Sequence, residues 1–290
     1  MKLMRIGPPG REVPALLDAS GVVRNLSSAV SDIDTALLAD PTGLDRLRAL
    51  DVTNLSALDM TDVRIGPPLA RPGKIVCIGL NYHEHAKETG AQVPDEPIVF
   101  MKAPDTVVGP YDTVLVPRGS TKTDWEVELA VVIGRTARYL ASPAHSRAVI
   151  AGYTVSNDVS EREYQLERGG QWDKGKNCET FNPLGPWLVT ADEVADPQAL
   201  GLRLSVNGQV RQDGSTADMI FGVDHIVWYL SQFMTLYPGD VVNTGTPAGV
   251  ALGQPDPKPY LRPGDVVDLD IDGLGRQRQT FSAAVTQETS

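Results

Sequence analysis

From Thr123 the chain reads Thr-Asp-Trp-Glu-Val-Glu-Leu-Ala-Val-Val-Ile-Gly, with polar and apolar positions alternating before an apolar run takes over. This alternation predicts a half-buried strand over 123–134. Residues two apart share a strand face, so Asp124, Glu126 and Glu128 are expected on one side and Trp125, Val127, Leu129 and Val131 on the other. The continuous run Ile75-Val-Cys-Ile78 predicts a fully buried strand over 74–79. Further strands are expected over 97–104, 153–158, 241–250 (running into a Gly-rich bend) and 263–271, and a hairpin over 202–211 turning at Asn207-Gly208. Val223, Ile226, Val227, Leu230, Phe233 and Met234 recur at helical spacing and predict an amphipathic helix over 222–235. A second helix is expected over 81–90, capped by Asn81 and ended by Gly90. A third is expected over 160–168 with Ser160 as its N-cap, and a short one over 143–150. Residues 169–187 read as a long irregular loop of the kind that carries function.

The pattern divides the chain. Residues 1–65 hold short apolar runs broken by Gly, Asp and Ser, with short helices over 31–38 and 44–50. They predict a small β-rich N-terminal domain that acts as a lid or packing unit. Residues 66–73 are rich in Pro and Gly and read as a linker. Residues 74–290 form the main domain. Strands and helices mixed in this way give an α+β class.

Composition narrows the partners. Of 290 residues, 41% are hydrophobic and 22% charged, the balance of a globular protein with a sizeable core. The net charge of −11 argues against nucleic acid or an anionic membrane surface as a partner. Two cysteines, Cys77 and Cys178, stand far apart, which fits a reducing compartment and neither a disulfide framework nor a zinc site. No signal peptide and no long apolar span is visible, so a cytoplasmic location is expected.

The strand pattern then acquires chemistry. Glu126 and Glu128 would stand roughly 6–7 Å apart at the backbone, and carboxylates so placed repel unless a cation lies between them. Asp158, ending the 153–158 strand, offers a third oxygen donor. Such a set suits Mg²⁺ or Mn²⁺; a solvated acidic strand face is the plainer reading. His85 and Glu88 share a helix face and could activate water, or simply form an ion pair. Lys102, at the end of an apolar strand, is costly to bury without an anion and is a candidate carboxylate or enolate contact, unless it snorkels to solvent. Arg162 and Gln165, three apart, could read a ligand carboxylate or hydroxyl, or Arg162 could pair with Glu163 or Glu167. Thr246 and the surrounding N–H groups make a nest for a carboxylate. Gly170 and Gly175-Lys176 nearly spell a phosphate loop, but Asn177 replaces the required hydroxyl, and Lys176 is left as an anion-facing cation. His83, His85 and Glu88 distantly suggest a cupin iron oxygenase; histidine-bound iron would mark that reading, and loss of all turnover with metal still bound would mark a binding protein.

Six motifs in one order settle on a family. Gly-Leu-Asn-Tyr-x-x-His-x-x-Glu (79–88), Phe-Met-Lys (100–102), Asp-Trp-Glu-Val-Glu-Leu (124–129) and Asn-Asp-Val-Ser-x-Arg-x-x-Gln (157–165) are four of them. Lys-x-x-x-Thr-Phe-x-Pro-x-Gly-Pro (176–186) and Pro-Gly-Asp-Val-x-x-Thr-Gly-Thr-Pro-x-Gly-Val (238–250) complete the set. Over roughly 70–285 the chain resembles the fumarylacetoacetate hydrolase family. The resemblance implies a mixed β-roll catalytic domain, a homodimer and a divalent metal held by Glu126, Glu128 and Asp158. It implies a water-activating dyad of His85 and Glu88, and substrate-side roles for Lys102, Lys176, Arg162, Gln165 and Thr246, with Lys176 also catalytic. Glu179 departs from the Asp usual in such proteins and bears on Lys176. The 169–187 motif and the N-terminal unit most resemble bacterial hydrolases of 2,4-didehydro-3-deoxy-L-rhamnonate or L-fuconate, which yield pyruvate and L-lactate. Fumarylpyruvate or acylpyruvate hydrolysis, oxaloacetate decarboxylation and 2-hydroxyhepta-2,4-diene-1,7-dioate isomerisation are the alternatives on the same site.

Overall fold

The structure, a computed structural model, describes residues 1–286; the last four residues of the expected main domain, 287–290, lie outside it. The α+β class is present. A ten-stranded mixed sheet runs in the order Val23–Asn25, Val13–Leu17, Lys2–Ile6, Asn182–Thr190, Ile150–Asn157, Val127–Ile133, Val241–Asn243, Ile75–Gly79, Ile98–Lys102, with Val107–Val108 pairing in parallel against Asn182–Thr190. A second sheet of five strands orders Gln209–Ser215, Gly201–Val206, Val266–Ile271, Gly275–Ala283 and Val114–Val116.

Two apolar cores flank the large sheet. Val127, Leu129, Val131 and Ile133 pack into one core with Leu204, Leu269 and Phe281 of the second sheet and with the helix Val223–Leu230. Ala130 and Val132 pack into the other core, with Ile75, Cys77, Leu3 and Leu37. The strand expected to be half-buried is therefore buried on both faces along its whole length. It is also interrupted. Thr123–Asp124 pairs with Ser160–Glu161 in a separate ribbon, and regular pairing in the large sheet begins only at Val127. Glu126 sits at the break, where its N–H donates to Asn157 Oδ1 (3.1 Å) and its carbonyl accepts from Asp158 N–H (2.9 Å).

Residues 1–65 share a sheet and a core with the main domain. Lys2–Ile6 is hydrogen-bonded to Asn182–Thr190 in register Lys2↔Val189 and Leu3↔Leu188, and Leu3, Leu16, Leu26 and Ile33 share the second core with the main domain. The 66–73 segment carries four buried residues in a row, Gly66, Pro67, Pro68 and Leu69, so its first half is packed.

Other expectations shift with local hydrogen bonding. The helix expected over 81–90 spans His83–Glu88, and its N-cap residue, Tyr82, makes no side-chain cap bond. Asn81 instead ties the ends of two strands to the segment before the Val223–Leu230 helix: its Nδ2 donates to the carbonyls of Phe221 (3.0 Å) and Thr244 (2.7 Å), and its Oδ1 accepts from Phe221 N–H (2.8 Å). Ser160 caps nothing; its hydroxyl donates to the Asp158 carbonyl, and the following segment is one π-turn, Glu163–Glu167. The 169–187 loop contains a short helix, Asp173–Lys176, and runs into the Asn182–Thr190 strand. The 222–235 helix stops at Leu230, leaving Phe233 64% exposed. The Asn207-Gly208 hairpin turn forms as expected, with φ of 51° and 77°.

Candidate active site

The last residues of the Ile150–Asn157 strand and the first of Val127–Ile133 face each other across one register pair, Asn157↔Val127. That register, with the Asp158 N–H to Glu126 carbonyl bond, carries Asp158 to the level of the two glutamates. Glu126, Glu128 and Asp158 each offer a carboxylate oxygen, and these lie within 4.8 Å of one another in a buried cluster.

Three fixed cations surround the acids. Lys176 Nζ lies 2.7 Å from Glu126 Oε2 and 2.9 Å from Asp158 Oδ2. Lys102 Nζ lies 2.5 Å from Asp158 Oδ1 and donates to the Val159 carbonyl at 3.0 Å. Arg162 Nη2 is in ionic contact with Glu126 Oε1 at 2.7 Å, while its Nε pairs with Asp124 Oδ2 at 2.8 Å. Burial works against charge on Glu126, but Lys176 and Arg162 outweigh it and bring the carboxyl down to about 2. Burial opposes charge on Lys176 as well, and Asp158 and Glu126 reverse that, holding the ammonium above its ordinary range.

Glu128 is the exception. Its hydrogen bond comes from the backbone N–H of Gly245 at 2.8 Å, and no cationic side chain among the described residues pairs with it. Burial first, then Asp158 and Glu126, push its carboxyl well above the ordinary carboxylate range. Four buried carboxylates (Asp124, Glu126, Glu128, Asp158) stand against three buried cations, which leaves one negative charge without a partner. A divalent cation fits this set: its ligands are hard oxygens, and its charge leaves the cluster net positive toward an anionic substrate.

The expected His85–Glu88 pair is assembled on the same cleft. His85 Nδ1 lies 2.7 Å from Glu88 Oε1 on the short helix, and the second Glu88 oxygen accepts from Gly249 N–H at 2.9 Å. Gly253 also packs on Glu88, so closely that a Cβ there would lie 2.5 Å from the carboxyl carbon. The cleft has a volume near 470 Å³ and is lined by His85, Glu88, Glu126, Glu128 and Lys176. Arg162, Gln165 and Thr246 also reach it. Lys102 and Asp158 lie behind the cleft wall at 1% and 0% exposure.

Several expected roles change. Lys102 neither snorkels nor faces the cleft; it is the buried counter-ion of Asp158. Arg162 pairs with Asp124 and Glu126 rather than with Glu163 or Glu167, and it donates through Nη1 to Gln165 Oε1 at 3.0 Å. Thr246 has its hydroxyl committed, donating to the Val127 carbonyl (2.9 Å) and accepting from Gln212 Nε2 (2.8 Å). The bend around it does bind carboxylates, but they belong to Glu128 and Glu88. Asp124 does not join the triad. It holds the turn Ala251–Gly253 by accepting from Ala251 N–H (2.8 Å) and Leu252 N–H (2.9 Å).

The sequence reading missed the opposite wall. Phe100 and Trp172 meet edge to face at 5.5 Å between ring centres, and Lys176 Nζ sits 4.9 Å over the Phe100 ring. Gly79 makes room for the indole, since a Cβ there would lie 2.4 Å from it. Ile78, Leu166 and Leu252 extend the apolar surface. The aromatic residues carry no periodic signal in their own segments, and only the fold brings them together.

A buried acid triad of a composition that fits a divalent metal, beside a hydrogen-bonded histidine–glutamate pair in a mixed two-sheet frame, is consistent with a hydrolase-type enzyme. The chain belongs to the fumarylacetoacetate hydrolase family: the family model for the fumarylacetoacetate (FAA) hydrolase C-terminal region matches residues 74–282. A protein of Burkholderia multivorans, described only as a candidate hydrolase, is 52% identical over 98% of this chain and 100% of its own. The solved structure of 2-hydroxyhepta-2,4-diene-1,7-dioate isomerase from Mycobacterium marinum is 34% identical over 98% of each chain with a TM-score of 0.76. Maleylpyruvate hydrolase from Sphingobium sp. SYK-6, solved with manganese(II) and pyruvate, is 27% identical over 98% of this chain and 100% of its own, with a TM-score of 0.81.

Proposed function

We propose that the protein hydrolyses the C3–C4 bond of a 2,4-dioxo acid to pyruvate and a carboxylic acid, with Mg²⁺ or Mn²⁺ at Glu126, Glu128 and Asp158. The observation that carries this reading is the 2.7 Å His85–Glu88 pair opening on the cleft that holds the acid triad. A bound divalent ion supplies Lewis acidity toward the carboxylate and 2-oxo oxygens of such a substrate. Glu88 accepts the Nδ1 proton of His85, which leaves Nε2 free to take a proton from water. The water oxygen adds to C4, the C3–C4 bond breaks, and its electron pair leaves with the pyruvate fragment as an enolate. The imidazolium returns its proton to C3 of that fragment, so one water is consumed. Lys176, fixed between Glu126 and Asp158, is the cation facing the developing charge.

Isomerisation and decarboxylation need no activated water and would leave the dyad idle. For the substrate itself, the 169–187 motif supports 2,4-didehydro-3-deoxy-L-rhamnonate or L-fuconate, and the manganese- and pyruvate-bound neighbour supports pyruvate as a product. A cytoplasmic homodimer enters the proposal through the family resemblance and is checked by light scattering. The test of the reaction is pyruvate release from the rhamnonate derivative, fumarylpyruvate and acetylpyruvate, with Mn²⁺ and with EDTA, beside an oxaloacetate assay. Metal-dependent pyruvate from any dioxo acid is the expected result. Turnover of oxaloacetate or a dienedioate alone would overturn it.

A further inference from the structure

We infer that Lys258 reads a second carboxylate on the acyl side of the substrate, so that the preferred dioxo acid is a diacid; this rests on the reaction class proposed above. Lys258 lines the same cleft as the triad and the dyad. Its Nζ donates to the carbonyls of Leu252 (2.6 Å) and Gln254 (2.7 Å). Two carbonyls fix the position of the ammonium and neutralise none of its charge. No carboxylate among the described residues pairs with it, whereas Lys102, Arg162 and Lys176 each hold at least one. In a chain of net charge −11, a positioned and unpaired cation on a cleft wall calls for an anion from outside the chain.

Its place decides which anion. The two carbonyls that hold Lys258 belong to the 251–254 turn, and Gly253 of that turn packs directly on the Glu88 carboxylate. Lys258 is thus tied to the dyad side of the cleft. Arg162, Lys176 and Lys102 belong to the triad side. A dioxo acid with its 1-carboxylate at the triad and C4 beneath His85 projects its acyl group past the dyad, toward the 251–254 turn whose carbonyls hold the Lys258 ammonium. The cleft is also lined by Phe100, Trp172 and Leu252, an apolar surface that suits an unsubstituted carbon chain. A chain ending in a carboxylate matches both features. The 6-deoxy sugar acids, which the 169–187 motif supports, end in a methyl group and leave Lys258 unused; the position of Lys258 ranks a diacid above them.

The test is calorimetric binding of two unreactive six-carbon 2-oxo acids, 2-oxohexanoate and 2-oxoadipate, to the Mn²⁺-loaded protein; they differ only in a terminal carboxylate. The wild type is expected to bind the diacid about tenfold more tightly, the range of one charge-assisted hydrogen bond. In Lys258→Gln that advantage disappears through weaker diacid binding, with Mn²⁺ affinity unchanged, and Lys258→Arg recovers most of it. Equal affinity for the two acids in the wild type overturns the inference, as does equal weakening of both in Lys258→Gln, which would make Lys258 a strap for its turn. The readout needs no turnover. Diacid preference without hydrolysis of any dioxo acid would sink the reaction class and keep the role of Lys258. Hydrolysis of acetylpyruvate without diacid preference would do the reverse.

Discussion

Glu128 takes its hydrogen bond from the Gly245 N–H at 2.8 Å, deep in the cleft wall and in no ion pair with the cations that hold its two neighbours. Replacing it with Gln keeps the shape and that bond while removing a desolvated charge beside Asp158 and Glu126. In EDTA, Glu128→Gln is expected to unfold at a higher denaturant concentration than the wild type. The same variant should bind Mn²⁺ at least tenfold more weakly, since an oxyanion ligand is lost. A metal-free stability below that of the wild type would show that Glu128 is not the uncompensated charge.

Glu88→Gln separates position from charge. The amide oxygen can still accept from Gly249 N–H, but the amide NH₂ then donates to His85 Nδ1 and forces the ring proton onto Nε2, the nitrogen that must act as base. A fall in kcat of about 10²–10³-fold is expected, with KM and Mn²⁺ affinity within a few-fold of wild type. His85→Asn should cost a similar factor, and the double variant little more, because the two residues act as a unit.

Lys102→Met tests the buried pair behind the triad. It leaves Asp158 with Lys176 alone, in a place without water, and is expected to cost about 3 kcal/mol of stability in EDTA. Adding Mn²⁺ should raise the melting temperature of this variant more than that of the wild type. Equal increments would show that Lys102 is not balancing the same carboxylate as the metal.

Both cysteines should be slow toward thiol reagents at neutral pH. Burial pushes the Cys178 thiol up to about 11 and the fully buried Cys77 well above its ordinary value. The thiolate is the reactive form, so alkylation of Cys178 should accelerate as pH rises toward 11 and stay low near pH 7. Mass spectrometry of iodoacetamide-treated native protein at a series of pH values reads this directly. Rapid modification of Cys178 at pH 7 would contradict the burial.

Deleting residues 1–65 strips Lys2–Ile6 from Asn182–Thr190 and opens the second core at Leu3, Leu16, Leu26 and Ile33. A chain of residues 66–290 is expected to lose its cooperative melt and to aggregate. A soluble, cooperatively folding truncation would restore the independent N-terminal domain that the sequence suggests.

The strands and the triad were legible because alternation and apolar runs report local geometry: Glu126, Glu128 and Asp158 converge although the strand is broken at 125–126 and buried on both faces. The joining of residues 1–65 to the large sheet was not legible, because turn residues mark where an element ends and say nothing about which distant strand it joins. Asn81 and Ser160 both have helix-capping chemistry, and other carbonyls claimed each of them: those of Phe221 and Thr244, distant in the chain, for Asn81, and that of Asp158, two residues back, for Ser160. Lys258 lies in a Pro-rich segment with no pattern at all. Its place is fixed by carbonyls of a turn that Asp124 holds from the other end.

The Val127–Ile133 strand has no solvent-facing position, and its two faces belong to two different cores. Almost any change along it disturbs one packing layer or the other, so the strand that begins beside Glu126 and carries Glu128 has little room to drift. New substrate preferences in such a molecule have to be acquired elsewhere, along 252–258, where side chains border the cleft without sharing either core's packing. The fold thereby divides its sequence into a part that fixes the reaction and a part free to choose what undergoes it.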